Sequence, residues 1–404
     1  MSEWKKTIIS DVADFNICSV NKDFKFDVIE YIDTSSVEKG QLTNTQEILL
    51  KEAPSRAKRR IQKNDILISS VRPNLEHYYF VDNCKENTVV STGFVVITPK
   101  EETYPYFLYC LLTTEQYTQY LTQVANSHTS TYPSFNPEVI ENSILSIPDY
   151  QEQKRIADVL FFLDAKIENL RRQNKTLEQI AQTLFKNWFI DFEFPNAIGK
   201  PYQSSGGAMF TSAIGDIPEG WKAGRLGDVA RVINGRAYKQ TEFKQEGTPI
   251  VRIQNLTGKG STVYSDLTLY EDKYISAGDL IYAWSATFGS YIWRGVKSIY
   301  HYHIWKLDCF STLFKYYLHI HLQRVSDSVK SQGTGSIFTH ITKTLMENQD
   351  LYIPDERTMK KWDAVVNPVF DKIMTNFNQI ETLTKTRDAL LPKLMSGQLR
   401  IKEK

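Results

Sequence analysis

The chain has 404 residues, 41% of them hydrophobic, which suits two or three domains with ordinary packed cores. Its formal net charge is +1, so no global field singles out a partner, and its four cysteines stand far apart, against a zinc ribbon or disulfide framework and for reduced thiols in a cytoplasmic protein. The first residues lack the apolar core of a signal peptide, and no apolar run approaches the roughly 18 residues of a membrane helix.

In chain order, Trp4-Lys5 is followed by Asp11-Val12-Ala13. A cationic run then holds Arg56, Lys58, Arg59, Arg60 and Lys63, with Arg72 beyond it. DILISSV and TVVSTGFVVITP carry the β-branched residues of strands. Residues 107–124 have the period of an amphipathic helix. Ile147-Pro148-Asp149 then opens a long segment without glycine. In it Ile156, Leu160, Leu163, Ile167, Leu170, Asn174, Leu177, Ala181, Leu184 and Trp188 alternate four and three apart, a heptad seam.

Residues 196–215 are rich in Gly, Ser and Pro and read as a linker. Trp221-Lys222 followed by Asp228-Val229-Ala230 then repeats the start of the chain, and GDLIYA repeats NDILIS. Residues 313–329 read as a helix. Ile353-Pro354-Asp355 repeats Ile147-Pro148-Asp149 and opens a second seam: Trp362, Val366, Val369, Ile373, Asn376, Ile380, Leu383, Arg387, Leu390 and Leu394. Helices of that length span roughly 50 Å, more than a compact domain needs, and two seams in register predict a coiled coil with Asn174, Asn376 and Arg387 as its polar positions. Pro368 predicts a late start for the second helix, and Pro392 its end. The expected units are residues 1–150, a helix at 151–195, the linker at 196–215, residues 216–354 and a helix at 355–404. The class is α+β.

An enzymatic reading finds little. Asn367-Pro368-Val369-Phe370 lacks the second proline of a base-gripping methyltransferase motif, and it sits at a helix start. The lone glycine cluster Gly333-Thr334-Gly335 lacks the strand-then-helix context of a cofactor loop. His301 and His303 would face one side of a strand, as metal ligands, packing residues or DNA contacts. A DNA-binding reading has more. The first globular unit is net acidic, but its cationic run suits phosphates, with Arg56 or Arg72 reaching a base. In VRIQNLTGKG, Arg252, Gln254, Asn255 and Lys259 suit base edges, with Arg252 and Gln254 on one face of a strand. Loops holding Ser130, Thr131 and Tyr132, Ser285 and Thr287, and Ser336 are further candidate contacts.

EQKRIADVLFFLDAKI, FKNWFIDFEFP, ALLPKLMSGQLR, SRAKRRIQKNDILISSVRPNL with STGF, and the paired Trp-Lys starts carry a resemblance. With them the chain resembles, over nearly its whole length, the specificity subunit of type I restriction–modification systems. The resemblance implies two target recognition domains separated by two long antiparallel coiled-coil helices. Each domain would read half of a bipartite, asymmetric site in double-stranded DNA. The helices would set the gap and dock two modification (methyltransferase) subunits, joined by restriction (translocase and nuclease) subunits. The chain would bind no cofactor; S-adenosylmethionine, ATP and Mg would belong to the partners. The second copy departs from the family pattern, with ERTMKKW where the first has QEQKRIA. The alternatives are a single-chain DNA methyltransferase or nuclease, and a coiled-coil scaffold without sequence readout.

Overall fold

The structure, a computed structural model, describes residues 4–127, 132–258, 260–285, 287–331 and 342–401. It divides into two compact units: Met1–Asn169 with Gln379–Lys404, and Leu170–Asn378.

In the first unit, strand Lys5–Ile8 pairs antiparallel with Ile144–Ile147, placing Lys5 opposite Ile147. Two four-stranded sheets lie between them in sequence. One has the order Ala13–Phe15, Phe94–Pro99, Ile66–Ser69, Tyr78–Phe80, antiparallel throughout. The other runs Gln46–Leu49, Val28–Ile32, Thr88–Ser91, Ala57–Arg60, and its central pair is parallel. Every residue of Ile66–Ser69 is buried, which is why the strand reads as an unbroken apolar run rather than an alternating one. The single helix expected at 107–124 is two, Pro105–Leu112 and Glu115–Ser127. The break comes at Thr113-Thr114: the Thr113 hydroxyl donates back to the Tyr109 carbonyl at 2.8 Å, and the Thr114 hydroxyl caps the next helix through the Tyr117 N–H.

The second unit repeats the plan of these three sheets. Lys222–Arg225 pairs with Asp350–Ile353. One sheet has the order Ala230–Asn234, Ile304–Cys309, Leu280–Ala283, Gly289–Ile292. The other runs Val263–Ser265, Thr248–Val251, Ser298–Tyr300, Tyr274–Ile275, again with a parallel central pair. The duplication extends to single hydrogen bonds. Asn64 and Gly278 both take positive φ (74° and 94°), and the carboxylates of Asp65 and Asp279 each accept a backbone N–H three residues back at 2.8 Å. Asparagine and glycine are the residues that adopt this turn most readily. The helix expected at 313–329 is Lys315–Ser331.

Ile-Pro-Asp marks the start of each long helix. Asp149 accepts the Glu152 N–H at 2.9 Å, and Asp355 accepts the Thr358 N–H at 3.0 Å. Each is an N-cap that satisfies a donor the first turn would otherwise leave open. The helices run unbroken through Tyr150–Phe189 and Glu356–Met395. The second therefore starts well before Pro368, contrary to expectation. Pro368 is exposed, so the Ala364 carbonyl that loses its donor faces solvent and the helix continues. In the second unit, Asn174 meets Asn376 while Phe185 and Trp188 meet Trp362, so the two segments run antiparallel. In the first unit, Asp164 binds Arg387 at 2.8 Å. Of the seam, Ile156, Leu160, Ile167, Leu170, Asn174, Ala181, Trp188, Trp362, Val366, Ile373, Asn376 and Leu394 are buried. Leu163, Leu177, Leu184, Val369, Ile380, Leu383, Arg387 and Leu390 are half-buried.

The change from QEQKRIA to ERTMKKW has a packing reason. Gln153 is buried in the first unit, accepting the Tyr104 N–H at 2.8 Å and donating to the Pro148 carbonyl at 3.0 Å. The matching residue is Met359, buried in an apolar cluster with Trp362 and Phe189. The segment read as a linker is folded rather than loose. Phe194 stacks on Tyr202 and Trp221, Met209–Ser212 forms a hairpin with Gly215–Pro218, and Lys361 donates to the carbonyls of Pro195 and Asn196. Its composition is that of a linker, but its aromatic residues bury enough surface to order it.

His319 is buried in the second unit, with Nδ1 2.8 Å from the Ser290 hydroxyl. Burial, and then the positive charge of Arg294, pushes it down to about 3. Below the ordinary histidine range the unfolded chain takes up a proton that the folded unit refuses, so stability falls as pH falls. Between pH 6.5 and 5 this residue alone costs about 1.5 kcal/mol. Melting curves of the wild type and of His319→Gln across that range check it: the variant loses this share of the acid sensitivity.

Candidate DNA interface

In each unit the two sheets meet at one turn. In the first, residues 92–93 join Thr88–Ser91 of one sheet to Phe94–Pro99 of the other. The Thr92 N–H donates to the Arg56 carbonyl at 2.8 Å, and the Ser70 N–H to the Gly93 carbonyl at 2.8 Å. Residues 70–72 leave the end of strand Ile66–Ser69 here, and Arg72 (φ 49°) donates its N–H to the Pro133 carbonyl. The Arg72 guanidinium lies 5.0 Å from the ring centroid of Tyr132, which is 64% exposed. The sheet junction thus gathers Arg56 and Arg72 from one stretch of sequence and Tyr132 from another.

The cationic run is less available than its composition suggests. Arg56 donates to Asp33 at 2.6 Å, and the same carboxylate oxygen accepts the Tyr31 hydroxyl at 3.2 Å. Burial acts to raise Asp33, but the Ser35 N–H, the Thr34 hydroxyl and Arg56 hold it below the usual carboxylate range. Arg56 is therefore paired with Asp33 while its side chain stays 57% exposed, and its backbone carbonyl helps to fix the turn. Lys58 is exposed on strand Ala57–Arg60. Arg59 is half-buried, and desolvation lowers its pKa. Arg60 sits over the Phe24 ring at 5.5 Å.

In the second unit the equivalent turn is residues 301–303, between Ser298–Tyr300 and Ile304–Cys309. The strand expected for His301 and His303 is this turn. The His301 N–H donates to the Val251 carbonyl, the Tyr302 N–H to the Arg236 carbonyl and the Trp284 N–H to the His303 carbonyl. Among the described residues no group of three or more His, Cys, Asp or Glu gathers at metal-ligating range, so the two imidazoles have no further ligands beside them. Burial first, then His303 and Arg252, push His301 down to about 4, and it is a neutral imidazole at pH 7.

The strand expected at Arg252 and Gln254 is one turn of helix, Ile253–Leu256, with Arg252 as its N-cap residue. The reason is Asn255, whose side chain accepts the Arg252 N–H at 2.9 Å and closes the turn. Asn255 is thus partly spent on the backbone, and Gln254 packs against the Gly260 turn. Arg252 donates to the Ser261 carbonyl at 2.8 Å. Ser285 and Thr287 are half-buried beyond Trp284. Ser130, Thr131, Lys259 and Ser336 lie outside the described residues.

Sequence reading missed Arg236, Trp284 and Tyr302. Arg236 is held by both oxygens of Glu242 at 2.7 and 3.0 Å, which holds that carboxyl down to about 2. The signal was Gly235: a Cβ there would stand 2.3 Å from the His301 carbonyl, so glycine marks the close approach of two chain segments.

The type I restriction modification DNA specificity domain matches residues 1–179 and 218–390, once per repeat. The chain belongs to that family. The MjaIX specificity subunit of a Methanocaldococcus jannaschii type I restriction enzyme is 31% identical over 93% of this chain and 85% of its own length. The HindI specificity subunit of Haemophilus influenzae is 26% identical over 99% of this chain and all of its own length. The crystal structure of the type I restriction–modification S subunit from M. genitalium shares the fold, with a TM-score of 0.59 at 13% identity over 99% of this chain and 97% of that one. The chain is thus a DNA specificity subunit, and specificity subunits are not themselves catalytic. Its two sheet-junction turns are the candidate DNA-reading surfaces.

Proposed function

We propose that each unit reads one half of a bipartite, asymmetric site in double-stranded DNA, and that the chain selects where partner methyltransferase subunits act. One observation carries this: two units share one strand order, hydrogen bond for hydrogen bond at the strand starts, yet differ at the same turn. A repeated frame with unlike residues at one exposed place is what two readers of unlike sequences require. The long helices, which contribute to both units, serve as spacer and as docking surface for two modification subunits, with restriction subunits joining them. S-adenosylmethionine, and ATP with Mg for cleavage, are held by those partners.

The test is co-expression with a type I modification methyltransferase subunit, followed by mapping of methylated adenines. The expected result is a split motif in which exchange of residues 1–150 for those of another family member changes one half only. A stable, active complex without a split motif would refute two-part reading and leave a scaffold.

A further inference from the structure

The two turns at the sheet junctions occupy the same place in the fold and offer opposite surfaces. In the first unit Ser91-Thr92-Gly93 carries no ring, and its exposed side chain is the short Thr92. A Cβ on Gly93 would stand 2.9 Å from the Thr34 methyl, and the Ser91 hydroxyl is turned inward to accept the Gly93 N–H at 3.2 Å. In the second unit the turn carries three rings. Tyr302 packs against both imidazoles, its centroid 4.4 Å from that of His301 and 3.9 Å from that of His303, and it is 40% exposed. Its backbone is fixed by two hydrogen bonds, its N–H donating to the Arg236 carbonyl and its carbonyl accepting the Trp284 indole N–H at 2.8 Å, and the Trp284 backbone N–H donates to the His303 carbonyl. Trp284 packs edge-on against His303 at 5.2 Å.

This is a rigid platform, and its chemistry suits base edges better than phosphates. Arg236, which joins this turn through its backbone, is paired with Glu242, and Arg252, the cation whose charge reaches His301, donates to the Ser261 carbonyl. A neutral imidazole offers one N–H donor and one acceptor, and a phenol offers both, which match the N7, O6 and amino groups in the major groove. Uncharged rings gain little from phosphates, whose attraction is to fixed positive charge.

We propose that residues 301–303 are the base-reading element of the second recognition domain, and that in the first, where the equivalent turn carries only the short Thr92 side chain, reading passes to Arg72 and Tyr132 beside it. This rests on the two-reader function above. Specificity would then differ between the halves because one turn carries its readers and the other makes room for them.

The experiment maps methylated adenines made by the full complex of this chain and its methyltransferase partner, for the wild type, Tyr302→Ala and Tyr302→Phe. Tyr302→Ala is expected to relax one or two base positions within one half of the motif, with at least a tenfold fall in methylation of the original site. The other half should stay unchanged. Tyr302→Phe keeps the ring and removes the hydroxyl, so it reports the hydrogen bond alone even if the alanine variant folds poorly. Relaxation confined to one half under either variant supports the proposal. It is overturned if both variants keep every motif position and the wild-type rate, or if methylation falls equally at all sites without relaxation. Absence of a split motif in the wild type is a different result: it refutes the two-reader function rather than the assignment of this turn.

Discussion

Replacing Trp362 by alanine will cost the second unit about 3–5 kcal/mol, enough to lower its melting temperature by roughly 10 °C. Trp362 is fully buried, and its ring meets Phe185 at 6.1 Å, Trp188 at 5.7 Å and Phe189 at 4.9 Å. Tyr317 and Trp221 extend the cluster through Phe189. All three direct neighbours come from the end of the first long helix, so the cavity would open where the two helices and the sheet share a core. Trp362→Phe should be far milder, about 1–2 kcal/mol. It keeps most of the ring contact, and it removes an indole N–H that finds no acceptor although buried. Chemical denaturation of the three proteins decides. Equal losses in both variants would mean that the helix pair, rather than the ring cluster, sets stability here.

The second large effect is expected at the buried amides. Asn376 donates to the Asn174 carbonyl oxygen at 2.8 Å, and Asn174 donates to the Ile373 carbonyl at 3.5 Å. Both residues are buried, and the second oxygen of the pair, Asn376 Oδ1, has no donor. Truncating one partner, Asn376→Ala, strands the other amide, for a loss of about 1–3 kcal/mol. Replacing both by leucine removes the polar groups together and should be neutral or stabilising, as with other buried polar pairs in helix seams. A double-mutant cycle measures the coupling. Additive losses, with the double variant the least stable of all, would show that the pair is not an interacting unit.

Much of this molecule was legible without coordinates. The seam residues, the Ile-Pro-Asp starts and the paired NDILIS and GDLIYA strands could be read because helix period, capping chemistry and buried strands are local properties of a sequence. Where reading failed, a local rule was overridden. Pro368 did not delay its helix because its solvent-facing position makes the lost hydrogen bond cheap. Arg252 did not lie in a strand because one side chain, Asn255, captured the backbone. Residues 196–215 were not a loose linker because Phe194, Tyr202 and Trp221 stack.

The candidate interface was legible only in part, and the reason is distance along the chain. Arg72 and Tyr132 were each visible, but nothing in the sequence says that they meet. Arg56 looked like a free cation because Asp33, its partner, lies in another strand's loop. The sequence by itself determined that this chain is duplicated, that it carries two long helices and that it belongs with the specificity subunits, since repeats and periods survive in one dimension. Only the tertiary structure decided which charges are spent on one another and which turn stands at each sheet junction. Charge pairing and exposure are properties of neighbours in space, and the parallel strand pairs of each unit bring together residues that the sequence keeps far apart.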